Sequence, residues 1–273
     1  MNTLSKRIIT ALISGPGVLA LIFFSKRNNF PWAVGLFLAI SAGIAVFELC
    51  ILFQKADINV RPACSGILAT LGFFAYVWFS HKFTPIIVTT VLSAAILINL
   101  GFESIKENIK SAAAVILGFI YIPWLLHYFY LIFIAESGVI HSANVLFIVW
   151  GFDSGAYFVG RFFGTHKIAP NISPNKTAEG VLGGIFMAYV GASLSPIWVP
   201  YRQWIPHLIL IAILVGLAAQ LGDLVESVLK RLAGLKDSGS IFPGHGGVLD
   251  RIDGLLFALP VFYFYFHFIL RFV

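Results

Sequence analysis

Hydrophobic residues make up 59% of this 273-residue chain and charged residues only 11%, against about 25% charged in an average soluble domain. This excludes a soluble globular protein and implies one embedded in a membrane. The net charge of +6 does not point to nucleic acid, because the basic residues are dispersed through short breaks between apolar runs and form no single stripe.

In chain order there are nine apolar stretches, at 8–24, 30–53, 62–80, 83–102, 112–135, 139–159, 178–200, 205–229 and 254–272. Most approach the ~20 residues that a spanning helix needs. The runs are continuously apolar and do not alternate, so helices are expected and barrel strands are not. The expected fold is all-α: a polytopic integral membrane protein of about nine transmembrane helices. Lys6 and Arg7 precede the first run as in a signal peptide, but no small-x-small cleavage pattern follows, and the run reads as a retained span. Cys50 in the second span and Cys64 in the third belong to no C-x-x-C pair or His cluster and read as free thiols. Gly66 and Gly72 in the third span, and Gly180, Gly183 and Gly184 in the seventh, allow close helix packing within one chain or in a homodimer.

The loops give an orientation. Lys6, Arg7, Lys55, Arg61, Lys106, Lys110, Arg161, Lys167, Lys176, Lys230, Arg231, Lys236 and Arg251 lie at the amino terminus or after an even-numbered span, which is 13 of the 18 basic residues. The positive-inside rule places that side in the cytoplasm. Seven of the twelve acidic residues lie from Asp153 onward. Residues 136–273 are therefore expected to form the catalytic region, with a cytoplasm-facing polar cavity between their helices, and residues 1–135 a transmembrane scaffold. Glu48, near the cytoplasmic end of the second span, either joins that cavity or pairs with a neighbouring helix.

Asp153 and Tyr157 share a face of the sixth span, and the polar run that follows ends in Ser173, Lys176, Thr177 and Glu179. Hydroxyls and an ammonium at the start of the seventh span suit an anion, and Thr177 equally suits a helix cap. In the eighth span Asp223, Glu226, Ser227 and Lys230 fall on one face, with Asp223 roughly 9 Å along the axis from the cytoplasmic end. Asp250 and Asp253 are three apart at the start of the ninth span, where they can cap the helix or hold a cation. Ionisable groups within a bilayer are costly unless paired or functional, so Asp223, Asp250 and Asp253 are candidate metal ligands. Lys230, Arg231 and Lys236, with His245, are candidate phosphate contacts. The glycines around His245, Gly244, Gly246 and Gly247, let a backbone turn approach a ligand.

Residues 227–253 read Ser227, Lys230, Arg231, Lys236, Asp237, Gly239, Phe242, Pro243, His245, Gly246, Gly247, Asp250, Arg251 and Asp253. Their types and spacing resemble, without a gap, the pattern of the phosphatidate cytidylyltransferases, also called CDP-diacylglycerol synthases. The resemblance rests on motifs over residues 150–254 and on architecture before that. It implies transfer of the cytidylyl group of CTP to phosphatidate, giving CDP-diacylglycerol and pyrophosphate, with Mg²⁺ and room for a second cation. The implied setting is the bacterial cytoplasmic (inner) membrane, with membrane lipid as surroundings and the active site facing the cytoplasm. On this reading Asp223, Asp250 and Asp253 hold metal, and Lys230, Arg231, Lys236, Asp237 and His245 serve catalysis. Ser173, Lys176, Thr177, Ser227, Gly246, Gly247 and Arg251 contact substrate.

Two other functions use similar residues. A CTP-dependent polyprenol or phytol kinase would release CDP in place of pyrophosphate. A transporter of a phosphorylated solute would carry polar residues through the whole bilayer, whereas the ninth span is uncharged from Asp253 until Arg271.

Overall fold

The computed structural model describes residues 3–79, 83–101, 104–194, 205–241 and 246–269. The helices are α1 (Thr3–Arg27), α2 (Pro31–Lys55), α3 (Pro62–Trp78), α4 (Thr84–Asn99), α5 (Ile105–Phe119), α6 (Leu125–Ile134), α7 (Gly138–Phe163), α8 (Ala178–Ser193), α9 (Ile205–Leu232) and α10 (Leu249–Phe264). A π turn over Ile120–Trp124 joins α5 to α6, and a second over Tyr265–Ile269 extends α10. Pro123 lies inside the first of these turns, where its missing N–H disturbs the regular ladder. Prolines also start helices: Pro31 and Pro62 open α2 and α3, where the first N–H has no helical acceptor anyway.

Among the described residues each expected apolar stretch contains an α-helix. Five are long and apolar enough to cross a bilayer: Pro31–Lys55, Ile105–Ile134, Gly138–Phe163, Ile205–Leu232 and Leu249–Ile269. Pro62–Trp78, Thr84–Asn99 and Ala178–Ser193 are apolar but shorter. At 1.5 Å per residue they reach roughly 25 Å, below the ~30 Å of a hydrocarbon core.

The chain packs as two compact units, Met1–Tyr130 with Leu229–Ile252, and Leu131–Val228 with Asp253–Val273. In the first, α2 is buried over much of its surface, through Val34, Leu38, Ala42, Ala45, Val46 and Leu49. It meets α3 at a glycine contact: a Cβ on Gly43 would lie 2.8 Å from the Gly66 carbonyl oxygen, and a Cβ on Gly66 the same distance from that of Gly43. Backbones this close gain dispersion contacts that lipid cannot replace. Fully buried Asn99 ties α3, α4 and α5 together. Its Nδ2 donates to Ser65 Oγ at 3.1 Å, its Oδ1 accepts from the Arg61 N–H at 2.6 Å, and its carbonyl accepts from Ser111 Oγ at 3.2 Å. Each such bond contributes about 0.6 kcal/mol within a membrane.

In the second unit α7 and α8 pack through glycines. A side chain at Gly155 would strike the Gly183 carbonyl, and one at Gly151 would lie 2.6 Å from that of Met187. Asn144, also fully buried, donates across the same interface to the Ala192 carbonyl at 3.2 Å.

Candidate active site

The second unit gathers three carboxylates. Asp223 and Glu226 are one turn apart on α9, and Asp253 lies in the first turns of α10; one oxygen from each lies within 4.8 Å of the others. Two glycines allow this. A Cβ at Gly222 would collide with the Asp253 carbonyl, and one at Gly254 would come within 3.2 Å of the Ala219 carbonyl, so α10 lies directly against α9 there. Glu226 is fully buried, while Asp223 is 39% exposed. The set is all oxygen, which suits a hard divalent cation.

Lys176 reaches this group from the α7–α8 loop, its Nζ 2.7 Å from Asp223 Oδ2. Ser227 Oγ donates to Asp223 Oδ1 at 3.3 Å, and the Gly254 N–H donates to Asp253 Oδ1 at 2.7 Å. The loop is pinned at its base. Ile168 N–H donates to the Lys176 carbonyl at 3.1 Å and Ala178 N–H to that of His166 at 2.9 Å. Glu179 accepts from Thr165 Oγ1 at 2.7 Å and from the Thr165 and His166 N–H groups, and contacts His166 Nδ1 at 2.5 Å. Buried Thr177 caps α8, its Oγ1 accepting from the Gly180 N–H at 3.1 Å. Ser173 serves the loop turn, donating from its N–H to the Ala169 carbonyl at 2.8 Å and accepting from the Lys176 N–H at 3.1 Å.

The first unit holds a carboxylate network of another kind. Asp250 accepts from Lys230 Nζ at 2.8 Å, from the Ser238 N–H at 2.8 Å and Oγ at 2.7 Å, and from the Gly247 N–H at 2.7 Å. Glu48 on α2 accepts from the Val248 N–H at 3.0 Å and the Leu249 N–H at 2.8 Å, with Ser238 Oγ at 3.4 Å. It thereby satisfies amides at the start of α10, which have no acceptor within the helix. Gly246 has φ +76°, a region that favours glycine, and a Cβ there would strike Asp250.

The other candidates also find places. α9 ends with Gly234 at φ +68°, the Gly234 N–H donating to the Arg231 carbonyl and the Leu235 N–H to that of Lys230, the bond pattern of a Schellman stop. Arg231 Nη1 donates back to the Leu235 carbonyl at 3.1 Å. Lys236, Asp237 and Arg251 are exposed. Phe242, Pro243, Gly244 and His245 lie outside the described residues. The structure thus brings Asp223, Asp253, Lys176 and Ser227 together, and separately Asp250, Lys230 and Gly247. The three-residue spacing puts Glu226 on the Asp223 face, but the sequence singles out no metal role for it. Ser238 falls on an unspecified position of the motif, between Asp237 and Gly239.

The model of the Cytidylyltransferase family matches residues 5–269. A phosphatidate cytidylyltransferase of Bacillus subtilis (strain 168) is 34% identical, covering 97% of this chain and 98% of that relative. One from Thermotoga maritima is also 34% identical, over 97% of each chain. One from Staphylococcus aureus (strain COL) is 34% identical over 83% of this chain and 88% of its own length. Matches of this extent support neither the lipid kinase nor the transporter, and with the apolar helices they mark an integral membrane protein. The chain belongs to the cytidylyltransferase family.

Proposed function

We propose that this protein makes CDP-diacylglycerol at a site built on Asp223, Glu226, Asp253 and Lys176. The enzyme is a nucleotidyltransferase that transfers the cytidylyl group of CTP to phosphatidate. A phosphatidate oxygen forms the new bond to the α-phosphorus of CTP, and the bond from that phosphorus to the β-phosphate oxygen breaks to release pyrophosphate. Both reactants are anions, so the protein's task is positioning and charge neutralisation.

The observation that carries the site is the close approach of three carboxylates and one ammonium in an otherwise apolar chain. Asp223, Glu226 and Asp253 would hold Mg²⁺, which supplies Lewis-acid charge to the triphosphate when bound. Lys176, resting on Asp223, is placed to contact a phosphate oxygen, and Ser227 orients the Asp223 carboxylate. Lys230 and Arg231 neutralise the departing pyrophosphate. Lys236, Arg251 and His245 extend the phosphate contacts and Asp237 orients Lys236 or Arg231, as the family motif suggests.

The loop charge asymmetry supports a cytoplasm-facing site in the bacterial cytoplasmic membrane. CTP then arrives from the cytosol and phosphatidate from the inner leaflet. Residues 136–273 act as the catalytic region and 1–135 as scaffold.

Purified protein given CTP, phosphatidate and Mg²⁺ is expected to release pyrophosphate and form a CDP-lipid. Release of CDP with a newly phosphorylated lipid would overturn the reading.

A further inference from the structure

We propose that Glu48 is a positioning residue for this chemistry, acting through Ser238 and Asp250 on Lys230. Glu48 is an acidic side chain in a long apolar helix, only 3% exposed. A buried carboxylate is tolerated where donors surround it; the Val248 and Leu249 N–H groups donate to Glu48, and Ser238 Oγ lies 3.4 Å from it. α2 thus grips a loop about two hundred residues away in sequence.

The loop is shaped around that carboxylate. A Cβ at Gly239 would lie 3.0 Å from the Glu48 carboxyl carbon, and one at Gly247 would press on both of its oxygens. A ligand-binding turn needs glycine for close approach of substrate; here Gly247 already has a reason within the protein. Its N–H donates to Asp250 while its α-carbon leaves room for Glu48.

The connections form a relay. Glu48 Oε2 meets Ser238 Oγ, which donates to Asp250 Oδ2 at 2.7 Å, and Asp250 Oδ1 holds Lys230 Nζ at 2.8 Å. The side chains of Asp250 and Lys230 are 7% and 12% exposed, so little solvent is available to re-solvate them if the relay shifts. An error of about 1 Å in a group that contacts the reacting phosphates can cost on the order of 100-fold in rate. Glu48 itself touches no substrate on this reading.

The inference rests on the assignment of Lys230 to phosphate, so Lys230→Met is measured in parallel. Glu48→Gln keeps the shape but replaces one acceptor oxygen by an NH₂ facing another donor. It is expected to lower kcat about tenfold or more while the KM for CTP and for phosphatidate stay within about twofold, the split expected of an interaction that matters in the transition state. Ser238→Ala is expected to lower kcat a few-fold, and the Glu48→Gln/Ser238→Ala double variant to be no worse than the weaker single, since contacts in one network are not additive. If Glu48→Gln does not fold, Ser238→Ala decides. Wild-type kcat in folded Glu48→Gln or in Ser238→Ala overturns the inference while Lys230→Met is inactive, as do independent effects in the double variant. Wild-type turnover in Lys230→Met overturns the Lys230 assignment and this inference with it.

Discussion

Two carboxylate clusters in this protein use the same side chains for opposite ends. Asp250 and Glu48 face each other across Ser238 Oγ, but most of their neighbours are donors: backbone amides, a serine hydroxyl and the Lys230 ammonium. Around Asp223 the neighbours include two further carboxylates, Glu226 and Asp253, with Lys176 beside them. Like charges brought together repel unless a cation joins them, whereas a carboxylate ringed by donors is already satisfied. On the proposed reading, Asp250 and Glu48 hold a loop and the Asp223 group is placed to hold a metal.

The largest effects are expected at Asp223 and Asp253. Asparagine at either position is expected to cut pyrophosphate release on the order of 100-fold, and to raise the Mg²⁺ concentration needed for half-maximal rate. An unchanged Mg²⁺ titration in both variants would remove the assignment.

Asp250→Asn is expected to lose activity by another route. Weakening a mostly buried ion pair leaves Lys230 poorly compensated, a loss of about 3 kcal/mol of stability, seen as a lower thermal midpoint in detergent. The Mg²⁺ midpoint of its residual activity stays at the wild-type value. A shifted midpoint there would merge the two clusters into one metal site.

Gly222→Ala probes the contact that brings Asp253 to α9. Its methyl would meet the Asp253 carbonyl, and overpacking of this kind costs about 1–3 kcal/mol. Turnover should fall about tenfold, the rate cost of ~1.4 kcal/mol lost from the transition state, with restoration only in part by excess Mg²⁺. The smallest effect is expected at Thr177→Ala, which removes the cap of α8 and about 1 kcal/mol of stability. Lys176 is the next residue back, so a modest rise in the KM for CTP is the activity readout, and an unchanged KM would separate the cap from the site.

Much of this was legible beforehand because it is local. Continuous apolar runs dictate helices in a bilayer, where each backbone amide must be satisfied within its own segment, and each expected stretch contains an α-helix among the described residues. Span lengths were less legible. The helices Pro62–Trp78, Thr84–Asn99 and Ala178–Ser193 stop short of the stretches that contain them, because apolar composition sets where a helix can run and neighbouring turns set where it stops.

By itself the sequence determined the helical membrane class, the dense motif from Ser227 to Asp253, and the shared face of Asp223, Glu226 and Ser227, all consequences of composition and of 3.6-residue periodicity. Which acid meets which partner depends on contacts between segments far apart in the chain. Lys176 reaches Asp223 from another loop, and Glu48 meets Leu249 at a separation of 201 residues. Such pairings depend on how closely glycine-lined helices approach and where a loop is pinned, and no local periodicity encodes that distance.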